Sequence, residues 1–249
     1  EEAILDAGSV FLIACPGSGK TRTLTYKIAY ELSRLQSDKQ FVVAITYTNR
    51  AADEIHERIE NLGVDTTRLW IGTIHSFCLE WILKPYGIYH NDLAKGFRVI
   101  DQFEREKILE NLCEPYKKPK ITFWDCDFYF TEKGYVLACP NQRKHQGLKQ
   151  ILGRYFDVLR SNRQIDFELI LFYASELINR HPAISRVLAQ LFSFVLLDEY
   201  QDTKRIQYLI IASILKAGQG STRAFIVGDP NQAIYQSLGG FPLAFDDFK

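Results

Sequence analysis

Residues 10–35, VFLIACPGSGKTRTLTYKIAYELSRL, decide the fold. A short apolar run, Val10 to Cys15, is cut off by Pro16-Gly17, and Thr21 to Leu35 then carry apolar residues at helical spacing. Strand, glycine-rich turn and helix make half of a βαβ unit. The pattern returns in Phe41–Thr46 (FVVAIT), followed from Asn49 by a helical run that closes at Gly63. A third strand is predicted at Leu69–Thr73 before a helix over His75–Lys84. A fourth, Phe194–Leu197, precedes an acidic cluster, and a fifth, Ala224–Val227, ends at Gly228-Asp229. Buried strands alternating with helices predict an α/β fold: a parallel sheet flanked by helices.

Between about Tyr86 and Asn162 this regularity gives way to a Lys-, Tyr- and Phe-rich stretch with Pro115, Pro119 and Pro140, which reads as an inserted subdomain. Glu114–Arg160 hold nine Lys/Arg against five Asp/Glu, interleaved with Phe123, Trp124, Phe128, Tyr129 and Phe130. Such a segment can grip nucleic acid or be the solvated face of a small separate core; the composition fits both.

The whole chain has ordinary globular composition. Of its 249 residues 47% are hydrophobic and 24% charged, with 15 Gly and 8 Pro, which excludes collagen-like, disordered and coiled-coil classes. Thirty basic residues balance thirty acidic ones, so a nucleic-acid contact must rest on local patches. The five cysteines are scattered, with no CxxC pair, against a disulfide framework or zinc ribbon. Cys113, Cys126 and Cys139 are evenly spaced but lack a fourth ligand, and no metal is expected there. The run Val10–Cys15 is far too short to span a bilayer and the amino terminus is acidic, so no membrane association and a cytoplasmic location are expected. The chain contains no Met, and it is expected to be part of a longer polypeptide.

Residues 14–21, ACPGSGKT, have the phosphate-loop pattern with Ala14 in place of the first glycine. Gly17 and Gly19 let the backbone fold around an anion, Lys20 supplies positive charge, and Thr21 offers a hydroxyl to Mg²⁺. The expected ligand is a nucleoside triphosphate; an ordinary glycine-rich turn is the lesser reading. Asp198 and Glu199, at the end of the fourth strand, supply the carboxylates such a site needs. Asp198 would hold the metal. Glu199 would orient or deprotonate water, favouring hydrolysis over transfer to another substrate. Alone, Asp-Glu is usually a solvated turn; Gln201, Asp202 and the preceding strand turn the reading toward function. The third piece is GDPNQAIY, residues 228–235, where Gln232 is placed to touch the γ-phosphate, although Gly228-Asp229-Pro230-Asn231 by itself is turn chemistry.

ACPGSGKTRTL, VVAITYTNRAADEI, IGTIHSF, LLDEYQDTKRIQ and IVGDPNQAIY occur in this order, and the set resembles the UvrD/Rep family of superfamily 1 DNA helicases. QIDFELILFYASELI, ahead of the acidic motif, also looks like the family. The resemblance implies a RecA-like ATP-binding domain from residues 1–88 and 165–249, a mostly helical inserted subdomain from 89–164, and a second RecA-like domain elsewhere in the full-length protein. It implies ATP and Mg²⁺ held by Pro16, Gly17, Ser18, Gly19, Lys20, Thr21 and Asp198, with Arg22 bordering the nucleotide, Glu199 serving the water and Gln232 sensing the γ-phosphate. It places Tyr47, Thr48, Asn49, Thr73, His75 and Tyr235 on single-stranded DNA. Tyr47 as a packing residue and His75 as a helix-start hydrogen-bonder remain open alternatives. Implied partners are single-stranded DNA, duplex junctions and repair or phage-defence proteins.

Three departures qualify the resemblance. After Tyr235 the chain reads Gln236-Ser237-Leu238-Gly239-Gly240 where the family usually has a Trp and an Arg that help hold DNA, residues 1–9 contain no adenine-reading Gln, and the arginines of the second domain are not in these residues. The expected function is an ATP-dependent DNA helicase or translocase, with little hydrolysis by these residues alone. The alternative is a DNA-stimulated ATPase or sensor subunit of a repair or phage-defence complex that does not unwind. A vestigial binding module and a small-molecule kinase fit less well, given Lys20, Thr21, Asp198, Glu199 and the ordered motifs.

Overall fold

In the computed structural model, residues 2–15 and 17–229 are described. Five strands, β1 (Val10–Ile13), β2 (Phe41–Thr46), β3 (Leu69–Thr73), β4 (Phe192–Leu197) and β5 (Arg223–Gly228), form one sheet in the order β1-β5-β4-β2-β3. Every neighbouring pair is parallel. Both faces are covered, which is why FVVAIT and FSFVLL read as nearly unbroken apolar runs.

Alternation along each strand assigns the faces. Val42, Ala44, Phe194, Leu196, Phe225 and Val227 pack against Leu24, Ile28 and Leu32 of α1 (Lys20–Ser33) and Ile55 and Ile59 of α2 (Asn49–Asn61). α3 (Pro182–Leu191) buries Ile184 and Leu188, and α4 (Arg205–Ala217) buries Ile206, Ile210, Ile211 and Ile214. α2 starts where Thr48 accepts a hydrogen bond from the Ala51 N–H at 3.2 Å and stops before Gly63, whose φ of +70° suits glycine.

The chain divides into two compact units: residues up to Phe77 with those from Ile178 onward, and Cys78–Leu177. The second unit holds helices Gln102–Cys113 and His145–Ser161, most of Phe167–Arg180, a hairpin of Phe128–Thr131 with Gly134–Leu137, and the short parallel pair Arg98–Val99 and Gln164–Ile165. The expected borders at 88/89 and 164/165 both fall inside this unit. Asp166 accepts from the Tyr155 hydroxyl at 2.7 Å, Phe172 stacks on Phe130 with ring centroids 4.2 Å apart, and His90 pairs with Glu176 at 3.1 Å. Of the aromatic residues in the basic stretch, Phe128 and Phe130 build this core while Trp124 is 73% exposed.

The helix expected over His75–Lys84 is a short α-helix, Ile74–Phe77, then a π-helical segment, Cys78–Leu83, and an α-turn, Lys84–Tyr86. Pro85 has no N–H to offer the carbonyl four residues back and its ring crowds that carbonyl, which favours a wider turn just before it. The evenly spaced cysteines lie in the second unit: Cys113 and Cys126 are buried with their sulfurs 3.5 Å apart, and the Cys139 sulfur is 3.9 Å from an Asp125 oxygen.

At the amino-terminal end of the sheet three charges are interlocked. Lys27 and Glu31 are fully buried 3.0 Å apart, and Arg223 donates to both Glu31 oxygens at 3.2 and 2.6 Å. The remaining donors reach carbonyls of the segment before β1: Lys27 to Ile4 at 3.1 Å and Asp6 at 2.6 Å, Arg223 to Ala7 at 3.3 Å. Removing the shared carboxylate strands a buried ammonium. Glu31→Ala is therefore expected to destabilise the protein by about 3–5 kcal/mol, read from the urea unfolding midpoint.

Candidate active site

The site is built at the rim where parallel strands end. Just past β1 the Ala14 N–H donates to the Gly228 carbonyl at 3.0 Å, and the Ala14 methyl lies in the core, so a side chain fits where the loop pattern has its first glycine. Gly17 and Gly19 take φ of +74° and +82°, a region that side chains disfavour. The Ser18 N–H closes the turn on the Cys15 carbonyl at 3.2 Å. α1 then begins at Lys20 with no side-chain cap, so its amino end points its amides and dipole along the loop. Thr21 is half-buried in that first turn, and the exposed Arg22 lies 5.7 Å above the Tyr26 ring centroid.

The Lys20 ammonium is hydrogen-bonded to the Glu199 carboxylate, 179 residues away, and stands 4.0 Å from the nearer Asp198 oxygen. Asp198 is fixed by its N–H on the Ile45 carbonyl at 2.9 Å. Burial, then the adjacent Glu199 charge, push the Asp198 carboxyl up to about 6 against the pull of Lys20. Glu199 has φ +54° and ψ +45°, a left-handed conformation that costs a non-glycine residue about 1–2 kcal/mol. That turn carries the chain into Tyr200–Asp202 and brings Gln201 back over the site. Gln201 is 2% exposed; its amide nitrogen donates to the second Glu199 oxygen at 2.6 Å, and its amide oxygen accepts from the Asp229 N–H at 3.0 Å. The approach to β5 is close enough that a Cβ on Gly228 would lie 2.1 Å from that oxygen and 2.6 Å from the Tyr200 ring.

Thr21 and Asp198 offer only oxygen donors, which suits a hard cation such as Mg²⁺ better than a soft metal. Two carboxylates, Asp198 and Glu199, stand around the single Lys20 ammonium, an arrangement with room for a further positive charge.

The expected DNA-facing residues divide by what they touch. Tyr47, Thr48 and Asn49 follow β2 and are exposed, Tyr47 to 47%. Thr73 ends β3, and His75 sits in the helix that follows. Thr48 caps α2, and the Thr73 hydroxyl accepts from the Ser76 N–H at 3.3 Å. Tyr47, Thr73 and His75 line a cleft that also includes Asp198, Thr203 and Gln207. Pro16, Gln232 and Tyr235 lie outside the described residues. Sequence reasoning passed over Gln201, which it used only as context for Asp198 and Glu199; the usable sign was Gly228, a glycine closing an apolar strand opposite the acidic turn.

Residues 1–249 match the family described as the UvrD/REP helicase N-terminal domain. The chain belongs to that family. Over 246 residues it is 27% identical to the ATP-dependent DNA helicase PcrA of Bacillus subtilis, covering 93% of this chain and 32% of that protein. It is 31% identical to the ATP-dependent DNA helicase SRS2 of Saccharomyces cerevisiae over 262 residues, covering 90% and 21%. A probable DNA helicase II homolog of Mycoplasma capricolum is 29% identical, covering 92% of this chain and 33% of its own. The chain thus spans a third or less of these UvrD/Rep relatives. Among the described residues no helix is long and apolar enough to cross a membrane.

The Gly228 contact gives a direct test of the packing. Gly228→Ala is expected to destabilise the protein by about 1–3 kcal/mol through overpacking against Tyr200 and Gln201, measured by urea unfolding.

Proposed function

We propose that this chain is the ATP-hydrolysing first RecA-like lobe, with its inserted subdomain, of a cytoplasmic DNA helicase or translocase. The observation that carries the reading is the ion pair of Lys20 with Glu199, Asp198 beside it, at the rim where β1, β4 and β5 end. The sheet unit is lobe 1A and the Cys78–Leu177 unit is the inserted subdomain 1B.

The loop from Pro16 to Gly19 and the first amides of α1 wrap the triphosphate of ATP, and Arg22 borders the nucleotide. Lys20 moves its charge from Glu199 to the phosphates, a stronger anion. Thr21 and Asp198 would hold Mg²⁺, which when bound neutralises phosphate charge. Glu199, released from Lys20, orients water and accepts its proton, and Gln232 senses the γ-phosphate. Hydrolysis reaches full rate when the second RecA-like domain brings arginines across the cleft, a contribution of about 10³–10⁵ in phosphoryl-transfer rate.

Single-stranded DNA runs past the ends of β2 and β3. Tyr47 and Tyr235 stack on bases, at about 1–3 kcal/mol per base and without sequence preference, while Thr48, Asn49, Thr73 and His75 line the path. Closure of the two lobes on ATP and reopening after hydrolysis advance the protein toward the duplex junction.

The test is ATP hydrolysis by the full-length protein with single-stranded DNA, duplex DNA and RNA. Single-stranded DNA should stimulate it, and Lys20→Ala should lower it by about 100-fold or more; a Lys20→Ala protein that keeps DNA-stimulated hydrolysis overturns the assignment. Ser237 and Leu238, standing where the family has Trp and Arg, favour one second reading, a DNA-stimulated ATPase or sensor subunit working with repair or phage-defence proteins. Stimulated hydrolysis without strand separation selects it.

A further inference from the structure

Gln201 is buried at the centre of the site, and the reaction as described leaves it without a task. Its two hydrogen bonds are chemically directional. The Glu199 carboxylate accepts and cannot donate; the Asp229 N–H donates and cannot accept. A primary amide serves both at once, and the two bonds, at 2.6 and 3.0 Å, fix which end of the amide faces which partner. Three features keep it there: the left-handed turn at Glu199, the missing side chain at Gly228, and the burial of Gln201 itself.

From this geometry we infer that Gln201 is a positioning residue for the Glu199 carboxylate and ties it to the main chain that leads from β5 toward Gln232. The inference rests on the function proposed above. Lys20 holds one Glu199 oxygen and Gln201 holds the other. When Lys20 turns to the triphosphate, Gln201 keeps the carboxylate aimed while the first oxygen becomes free to accept a proton from water. A neutral amide does this without adding charge, whereas a second cation there would stabilise the carboxylate and weaken it as a base. Because the amide is also bonded to the Asp229 N–H, a shift of the main chain after β5 moves Glu199 with it.

The experiment compares wild type, Lys20→Ala, Gln201→Leu and Gln201→Glu in the full-length protein with single-stranded DNA. It reads kcat and KM for ATP and the affinity for a fluorescent ATP analogue with Mg²⁺. Gln201→Leu loses both bonds. Gln201→Glu keeps the size, the packing on Gly228 and the bond from Asp229, but turns an acceptor toward Glu199. Both variants should lose about 10- to 100-fold in kcat with KM and analogue affinity within about threefold of wild type. A role in packing alone would be restored by Gln201→Glu, so a wild-type kcat in that variant overturns the inference. A loss carried by KM or analogue affinity also overturns it, making Gln201 part of nucleotide binding. A wild-type protein that hydrolyses no ATP, or a fully active Lys20→Ala, overturns the underlying function as well; normal wild-type and Lys20→Ala behaviour with active Gln201 variants overturns this inference alone.

Discussion

An ammonium and a carboxylate 179 positions apart in the chain meet at the candidate site, and the sheet exists in the form that makes them meet. Parallel strands point every carboxyl end the same way, so the loop after β1, the acidic turn after β4 and the end of β5 must share one rim. Adjacency then matters more than length. β5 lies between β1 and β4, and the sheet ladder runs past the strand ends through the Ala14 N–H on Gly228 and the Asp198 N–H on Ile45. Those bonds fix where the backbones begin to diverge, and so where Lys20 and Asp198 can stand. A slip of one residue in β4 would exchange its two faces, burying what now faces α4 against α1 and pulling Asp198 out of reach.

The charge balance at this rim is unfinished. Two carboxylates face one ammonium, and the more buried of them, Asp198, has its carboxyl pushed up to about 6 by burial and its neighbour. A triphosphate adds negative charge to a place already short of cations, so Lys20 alone cannot serve it and both carboxylates. This is the physical reason a divalent cation belongs in the proposed reaction. In that proposed reaction a neutral support suits Glu199 as well, because a group that aims it should not also neutralise it.

The sheet, and the meeting of Lys20 with Asp198 and Glu199 at its rim, were legible because their determinants are local. Apolar runs of four to six residues name the strands, and Pro16-Gly17, Asp198-Glu199 and Gly228-Asp229 mark where three of them end, without reference to anything distant. What escaped is decided at long range. Apart from the π-helical segment Cys78–Leu83, whose cue, Pro85, is local, Gln201 is the plainest case: it looks like any polar residue in a turn until Gly228 is known to lie against it. The second unit hid its borders for the same reason. The partners that hold Asp166 and Phe172 there, Tyr155 and Phe130, are far enough away in sequence that spacing carries no trace of them. Phe128 and Phe130 were equally able to face nucleic acid or a core, and composition could not choose; packing against Phe156 and Phe172 chose.

Two clusters of charge sit at opposite ends of the sheet, and the contrast between them separates structure from chemistry. At the amino-terminal end Lys27 and Glu31 are wholly buried, Arg223 completes the carboxylate, and spare donors are spent on the carbonyls of Ile4, Asp6 and Ala7. Both Glu31 oxygens are taken, and moving either cation would leave buried charge unpaired, so that cluster is static. At the carboxyl-terminal end the Lys20 side chain is partly exposed on a flexible stem, its carboxylate partners outnumber it, and the glycines before it leave its approach open. The same residue types make an anchor where every charge is answered and a responsive site where one is not. Gln201 lies on the boundary between these regimes: it is as buried as the anchor, yet it holds the one carboxylate that changes partners in the proposed reaction.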